Sequence, residues 1–199
     1  FKTIRIGFVV TDRCLYANDY VKKDFQKFIQ KLKRKFVVQE IKWPKKLKNL
    51  GLLHETIYNK NLSYYFSKEY KDKSKKVSKI MNQMIIQGKK ISTKKYLESL
   101  NQQKKVILEI DKLFKKYDVI FSMATGSSAL NLNDIELPDS SLIWTLSHVP
   151  CICFPYNQDP NGLPYGFHAI TKKWNDFNLI YIMEEFAKYG LIRKNSYEP

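Results

Sequence analysis

The sequence is poor in the residues that build metal and redox sites. Its 199 residues include three cysteines and three histidines, and no group of them has the spacing of a zinc site. Cys151 and Cys153 stand two residues apart in a strand-like run, so their side chains point to the same face, and neighbours of that kind rarely form a good disulfide. We therefore expect no metal and no cofactor. We also expect core packing for these two cysteines and Cys14, and a reducing, cytoplasmic location.

Long apolar runs are absent as well. No run approaches the roughly 18 residues that a membrane helix needs, which predicts no membrane partner. The segment Phe1–Val10 is too short for a signal peptide, and no small-residue cleavage site follows it. The chain opens on a strand-like run without a Met, so we expect that residues upstream were removed or belong to another polypeptide.

Acidic residues are scarce: 19 Asp and Glu stand against 35 Lys and Arg, for a net charge of +16. Such a charge suits a nucleic acid or another polyanion. However, only four of the basic residues are Arg, the residue favoured for bidentate phosphate contacts. A solvated, lysine-rich surface is therefore the preferred interpretation. The aromatic group Tyr64, Tyr65, Phe66 and Tyr70 lies among lysines, where it could stack on bases or pack as a helix face.

The hydrophobic pattern predicts a β-α-β beginning. Thr3–Val10 and Phe36–Trp43 have the branched, apolar composition of strands, and Pro44 stops the second. Between them, Asp19–Lys35 carries apolar residues at helical spacing. Because a crossover helix joins parallel strands, we expect these two strands to pair in parallel.

The rest of the chain alternates helical and strand-like segments. Short helices are predicted within Lys45–Lys90, followed by a helix from the N-cap Ser92 to Lys116 or Tyr117, with Gln103 on its apolar stripe. Next come a strand over Asp118–Met123, a loop over Ala124–Pro138, helical turns over Ser140–Ser147 and a strand over Val149–Phe154 that Pro155 ends. The last predicted elements are a turn over Tyr156–Pro164, a strand over Tyr165–Thr171, and a helix over Asp176–Tyr189 with Gly190 at its C-cap. With no internal repeat and no long linker, we expect an α/β fold and a single domain over residues 1–199.

Read in order, several segments resemble motifs of the amidase-signature family. They are Ile4-Arg5-Ile6-Gly7 ("lrIGv"), the strand that ends at Trp43-Pro44, the helix opening Ile91-Ser92 with Tyr96-Leu97 and Leu100, Tyr117-Asp118-Val119-Ile120 ("yDvll"), Trp144–Pro155 ("n..G.PaisvP"), Gly162–His168 ("GlPvGlq") and Asp176–Glu185 ("D..ll..a...E"). The Gly-Leu-Pro segment is the most specific of the set. The resemblance implies a mixed β-sheet flanked by helices, with this chain as the C-terminal portion of the fold.

The family's activity is implied by the same resemblance. It hydrolyses a carboxamide, or transfers its ammonia, through an acyl-serine formed by a Ser-Ser-Lys triad. That triad precedes the "lrIGv" strand, so the resemblance implies no catalytic residue in this chain and an N-terminal portion, in the same gene or a second chain, as partner. A small amide is the implied substrate. The implied substrate-binding residues are Thr125, Trp144 and Ser147, in the loop and the segment before Cys151; core packing is the alternative for Trp144.

Some residues depart from the family pattern. Thr125–Ala129 superficially resembles the family's Gly/Ser-rich stretch, but it holds a single Gly, so we interpret Ser127 and Ser128 as loop residues rather than nucleophiles. His148 stands where the family has Gly. The competing hypothesis is a non-catalytic scaffold with a polyanion partner, whose working surface would be Lys45–Lys95.

Overall fold

The computed structural model of the protein describes residues 4–135, 137–138 and 140–193. By its internal contacts the chain divides into a sheet unit, Phe1–Lys48 with Glu109–Pro199, and a helical unit, Asn49–Leu108. The single domain expected over residues 1–199 stays a prediction.

Five strands and seven α-helices occur in the described part of the chain. In chain order they are β1 (Ile6–Phe8), α1 (Asp19–Lys33), β2 (Val38–Glu40), α2 (Gly51–Tyr65), α3 (Ser67–Lys73), α4 (Lys79–Lys90), α5 (Thr93–Phe114), β3 (Val119–Met123), α6 (Ser141–Ser147), β4 (Cys151–Gln158), β5 (Pro164–Ile170) and α7 (Asp176–Lys188), with single 3-10 turns at Arg13–Tyr16, Lys45–Leu47 and Ser74–Lys76.

The five strands form one mixed sheet in the order β2-β1-β3-β5-β4. β1 pairs in parallel with β2 and β3, whereas β5 pairs antiparallel with β3 and β4. The parallel pairing of β1 and β2 across α1 confirms the β-α-β prediction. The architecture as a whole is the predicted α/β fold with a mixed sheet.

The core of the sheet unit lies between one sheet face and helices α1 and α7. α1 buries Phe25, Phe28 and Leu32 on its apolar stripe, as its spacing predicts. The Phe28 ring meets Phe121 of β3 edge-on, with centroids 5.1 Å apart and planes at 81°. Phe186 of α7 stacks on the same Phe121 ring at 5.8 Å. Aromatic contacts of this kind hold both helices on β3, at the centre of the sheet.

The motifs Ile4–Gly7 and Tyr117–Ile120 are joined by hydrogen bonds between Arg5 and Asp118, at the start of β1 and β3. Asp118 accepts hydrogen bonds from Nε and Nη2 of Arg5, at 3.1 and 2.8 Å, and from the Arg5 backbone N–H at 2.8 Å. The hydrogen bond from Arg5 lowers the pKa of the Asp118 carboxyl, outweighing its partial burial. The pair lies next to the Ile6–Val119 register position, so it sets how β1 meets β3.

The helical unit contains α2, α3, α4 and the first part of α5. The prediction of helices in Lys45–Lys90 is confirmed, and the N-cap role of Ser92 is confirmed by a 3.2 Å hydrogen bond from the Lys95 N–H to its Oγ. Gln103 is buried, as its place on the stripe predicts, but Leu97, predicted on the same stripe, is 53% exposed. No helix within the described ranges is long and apolar enough to cross a membrane.

The strand boundaries differ from their predictions. β1 and β2 are three residues each, because branched residues continue beyond the part of each strand that pairs; Thr3 itself lies outside the described residues. The prediction that Pro155 ends its strand is wrong: β4 runs on to Gln158, and the pairing shifts between Pro155 and Asn157. An edge strand accommodates Pro because one side of its backbone needs no ladder partner. The turn predicted over Tyr156–Pro164 is correspondingly shorter.

The helix ends agree better with the sequence. α7 ends one residue before its predicted limit, and Gly190 follows it with a φ of +65°. The N–H groups of Gly190 and Leu191 donate to Ala187 and Phe186, at 3.0 and 2.8 Å. This is a Schellman motif, so the capping role predicted for Gly190 is confirmed.

Candidate functional site

A concave space of about 700 Å³ opens where β3 ends, beside the hairpin of β4 and β5. The loop that follows β3 forms one wall, and the start of β5 forms the other. Its lining includes Thr125, Ser127, Ser128, Cys153, Tyr165 and Gly166. We refer to this space as the loop cavity.

Thr125 is the member of the predicted substrate-binding set that borders the loop cavity. Its residue surface is exposed, and its Oγ1 donates to the Ser127 carbonyl at 2.6 Å. That bond shapes the loop and leaves the Thr125 hydroxyl oxygen able to accept from a ligand.

Trp144 and Ser147 lie on α6 and do not line the loop cavity. Trp144 is 1% exposed; its Nε1 donates to Ser122 Oγ at 3.2 Å, and its ring meets Trp43 edge-on at 6.0 Å. Ser147 is fully buried, and its hydroxyl donates to the Ile143 carbonyl within α6. The bond from Trp144 to Ser122 holds α6 against β3, on the sheet face opposite the core, whereas the Ser147 bond is internal to α6. The substrate-binding role of these two residues stays a prediction.

The hydroxyls of Ser127 and Ser128 each donate a hydrogen bond to another group of this chain. Ser127 Oγ donates to the Ser128 carbonyl at 2.8 Å. Ser128 Oγ donates to Asp159 Oδ2 at 2.7 Å, and the Tyr20 hydroxyl lies 3.3 Å from it. Tyr20 also accepts the Ser128 N–H at 3.0 Å. These bonds tie the loop to α1 and to the hairpin.

The electrostatics of this group do not activate a nucleophile. The hydrogen bond from Ser128 lowers the pKa of the Asp159 carboxyl, with further help from the N–H groups of Leu163 and Asn161. Burial raises the pKa of Tyr20, but its hydrogen bonds with Ser128 outweigh burial and lower it. A carboxylate of lowered pKa is a weak base, so it does not remove the proton of a serine hydroxyl.

The hairpin explains why the Gly-Leu-Pro motif needs its glycines. Gly162 has a φ of +81°, a left-handed conformation that favours glycine in a turn. At Gly166 the backbones of β4 and β5 approach so closely that a Cβ would stand 2.2 Å from the Phe154 carbonyl oxygen. Both positions shape the hairpin wall of the loop cavity.

His148 occupies a backbone position made for glycine. Its φ is +56°, and the N–H groups of His148 and Val149 donate to Thr145 and Trp144, at 3.2 and 3.4 Å. This is a Schellman motif at the end of α6, with His148 in the left-handed position. The departure from the family pattern noted in the sequence therefore falls on a helix cap.

The cysteines are free thiols, but only one packs as predicted. Cys14 is 3% exposed, and burial raises its pKa. The core-packing prediction is wrong for Cys151 and Cys153, which are exposed on β4 because β4 is the edge of the sheet. Partial desolvation and then the neighbouring Cys153 raise the pKa of Cys151 to about 12. Among the described residues, no group of three His, Cys, Asp or Glu side chains could hold a metal ion.

The sheet order and the loop cavity define a mixed-sheet α/β protein. The family model described as "Amidase" matches residues 1–180, and the chain belongs to that family. A curated relative, a glutamyl-tRNA(Gln) amidotransferase subunit of Brachyspira hyodysenteriae, is 25% identical over 131 residues, which are 61% of this chain and 27% of that protein.

Solved amidase structures share the fold. A crystal structure of an amidase superposes with a TM-score of 0.81 at 16% identity, over 90% of this chain and 44% of that one. A bacterial aryl acylamidase of the amidase-signature family gives a TM-score of 0.71 at 13% identity, over 98% of this chain and 46% of that one. The chain therefore spans less than half the length of the proteins it matches.

Proposed function

We propose that this chain is the C-terminal portion of an amidohydrolase that cleaves a carboxamide C–N bond through an acyl-serine. In this proposal the acyl-forming serine, the bridging serine and the lysine base belong to an N-terminal portion. This chain supplies strands of the sheet and a wall of the substrate pocket. The proposed setting is a reducing compartment, the cytoplasm, in keeping with three free thiols.

One observation carries the proposal: the chain has the amidase fold but spans only 44% and 46% of the two amidases compared above. The local chemistry agrees with it. Ser127 and Ser128, in the segment that superficially resembles the family's Gly/Ser-rich stretch, donate to a carbonyl and to a carboxylate of lowered pKa. A chain with this fold, whose loop serines Ser127 and Ser128 have no activating base, suits a wall of the site rather than its reacting centre.

Within the proposed site, Thr125 is assigned to direct contact with the amide substrate. It borders the loop cavity, and its hydroxyl oxygen can accept from an amide N–H. Trp144 and Ser147 are buried, so we assign them to holding α6 and the segment before Cys151 in place. These two residues would then affect substrate binding indirectly, because they fix the position of that segment.

The test uses the whole protein, with the portion that precedes Phe1. Ammonia release from a small carboxamide should survive Ser127→Ala and Ser128→Ala within about threefold, since neither hydroxyl takes part in the chemistry. Ala in place of the serine of the upstream Gly/Ser-rich segment should lower the rate by about 10³-fold or more. A folded Ser128→Ala protein that has lost ammonia release, with the upstream serine dispensable, would sink the proposal.

A matched pair of variants tests the pocket wall. Thr125→Val removes the hydroxyl at nearly constant volume and should raise KM more than it lowers kcat. Ser99→Ala, in the helical unit, removes a hydroxyl that donates to the Lys95 carbonyl at 2.9 Å and should leave both constants unchanged. Equal effects of the two variants would remove Thr125 from the site.

The second candidate is a scaffold that binds a polyanion, and its support lies in the helical unit. Thirteen lysines and four acidic residues give Asn49–Leu108 a net charge of +9. Tyr64 and Tyr65 are 74% and 73% exposed, with their rings 5.2 Å apart. Exposed rings among lysines suit stacking on single-stranded bases.

The two candidates differ in their dependence on salt. RNA affinity that falls steeply with salt, and that drops in Tyr64→Ala but not in Tyr181→Ala on α7, would favour the scaffold. No binding of single-stranded RNA at low salt would remove it.

A further inference from the structure

The segment that forms the loop cavity contains no lysine or arginine. All 35 Lys and Arg residues of the chain lie outside the stretch from Tyr117 to Thr171, which holds five Asp and Glu residues. Every described residue that lines the loop cavity belongs to this stretch. The chain as a whole has a net charge of +16, so the cavity is built from a part of opposite sign.

Burial does not explain the missing lysines. Two pieces of the stretch are exposed throughout, residues 129–135 after β3 and residues 160–164 at the tip of the hairpin. Leu132, Ile135 and Leu163 are 99%, 90% and 41% exposed there. Elsewhere in the sheet unit, exposed positions of α1 carry lysine. The surroundings of the cavity are therefore apolar and acidic on a protein whose surface is otherwise rich in lysine.

Two carboxylates at the loop cavity have neutral partners. Asp134 lines the cavity, and its Oδ2 accepts from the backbone N–H and from Nδ2 of Asn131, at 3.1 and 3.0 Å. Asp159 accepts from Oγ of Ser128, which lines the same cavity, and from two backbone N–H groups of the hairpin. Within the described ranges, neither carboxylate belongs to an ion pair. Their charges are stabilised but not neutralised, so the field at the cavity favours a cation over an anion.

We propose that the loop cavity selects amides that join an apolar chain to an ammonium group, and rejects amides that carry a carboxylate. This inference rests on the proposed function and names the substrate class of that same site. The apolar chain would lie against Leu130, Leu132 and Leu137, which line the cavity, and the ammonium group near Asp134. Among the described lining residues a substrate carboxylate would find no Lys, Arg or His to pair with. It would also approach two charges of its own sign, which is the repulsive element that selectivity needs.

Three amides of one chain length test the selection on the whole protein, with the portion that precedes Phe1. 5-Aminopentanamide, hexanamide and adipamate (the monoamide of adipic acid) share a chain of four methylenes and end in an ammonium, a methyl and a carboxylate group. At low ionic strength we expect kcat/KM for ammonia release to be highest for 5-aminopentanamide and at least about tenfold lower for adipamate, with hexanamide between them. Equal values for the three amides, or a preference for adipamate, overturn the proposal.

The apolar part of the proposal is tested by chain length. Propanamide lacks three methylenes of hexanamide, and each methylene that is largely removed from water should improve kcat/KM by about two- to threefold. We therefore expect propanamide to be about tenfold poorer than hexanamide. Equal rates for the two would remove the leucines from the site.

A matched pair of charge substitutions places the selection at the loop cavity. Leu132→Lys adds a cation at a side chain that is 99% exposed, so the fold should tolerate it. It should raise kcat/KM for adipamate and lower it for 5-aminopentanamide, each by about threefold, and leave hexanamide nearly unchanged. Val37→Lys adds the same charge at a 69% exposed residue just before β2 and should alter none of the three. Unchanged selectivity in Leu132→Lys, or an equal shift in Val37→Lys, contradicts the assignment to this cavity.

Binding separates this inference from the proposed function. The whole protein with Ala in place of the upstream serine should still bind 5-aminopentanamide about tenfold more tightly than adipamate in calorimetric titrations. If no amide releases ammonia from the unmodified protein but this order of binding holds, the proposed function fails and the selection stands. Ammonia release that requires the upstream serine but shows no preference among the three amides contradicts the selection alone.

Discussion

The hydroxyl of Tyr165 on β5 donates to Asp24 Oδ2 on α1 at 2.6 Å. The same oxygen accepts from Asn157 Nδ2 at 2.6 Å, while Oδ1 pairs with Lys27 Nζ at 2.8 Å. Asp24 is 6% exposed, so its charge is stabilised by these partners rather than by water. One carboxylate therefore joins α1 to both strands of the hairpin that forms a wall of the loop cavity.

Removing either partner of this bond should destabilise the protein. Asp24→Asn leaves the buried Tyr165 hydroxyl and the exposed Lys27 ammonium without a charged acceptor, and we expect the free energy of unfolding to fall by about 1–3 kcal/mol. Tyr165→Phe should cost about 1 kcal/mol. Urea denaturation measures both, with Tyr181→Phe, an exposed tyrosine of α7, as the control that should change little. An unchanged Asp24→Asn midpoint would contradict the structural role.

The same carboxylate predicts a dependence of stability on pH. Burial raises the pKa of Asp24, but hydrogen bonds from Asn157, Lys27 and Tyr165 outweigh it and lower the pKa overall. A lowered folded-state pKa stabilises the protein fully above the unfolded value of about 3.9, and the stabilisation is lost as the pH falls through the folded value. The difference in unfolding free energy between wild type and Asp24→Asn should be constant from pH 6 to 8 and shrink below about pH 4. A difference that changes near neutral pH would implicate another group.

Glycine at position 148 should stabilise the protein. His148 holds a φ of +56°, where a side chain is strained and glycine is not. We expect His148→Gly to raise the free energy of unfolding by about 0.5–1 kcal/mol, and His148→Asn to raise it less. His148→Ala is the control, since it removes the imidazole but keeps the strained Cβ. A gain in the Ala variant equal to that in the Gly variant would assign the effect to the ring.

A single methyl group should disrupt the hairpin. Gly166→Ala places a Cβ 2.2 Å from the Phe154 carbonyl oxygen, so β4 and β5 must separate, at a cost of about 1–3 kcal/mol or more. Gly126→Ala makes the same change where the nearest atom is the Leu137 Cβ at 3.0 Å, and should cost less. Thermal unfolding of the two variants compares them directly. Equal midpoints would show that the strands yield at no cost.

The helices could be predicted because their cause is local. The stripe of α1 and the cap at Ser92 are written in residues a few positions apart, and both are found where the pattern indicates. The strands were less predictable. Val9 and Ile41 are apolar and buried, like residues of the strands, but they lie just beyond the ends of β1 and β2. An apolar stretch of sequence therefore does not show at which residue a strand ends.

The candidate site was predictable only in part. Thr125 was named through the resemblance to the amidase-signature family, and it does border a cavity. The roles of Tyr20 and Asp159 had no local signal, because the partner that joins them, Ser128, lies 108 and 31 residues away. Exposure of Cys151 and Cys153 depends on which strand stands at the edge, and that order is a property of the whole sheet.

The clamp between Arg5 and Asp118 also bears on how the protein is made. The two residues are 113 positions apart, so β1 leaves the ribosome long before the strand that completes its second side. β2 is the first partner that becomes available, which leaves one flank of β1 open throughout translation of the helical segments. When Asp118 emerges, its attraction to the positive charge of Arg5 can align β3 correctly with β1. A one-position slip would turn Phe121 away from α1 and Ile120 towards it. Charge reversal at Arg5 should therefore lower the yield of correctly folded protein more than it lowers the free energy of unfolding of the folded protein.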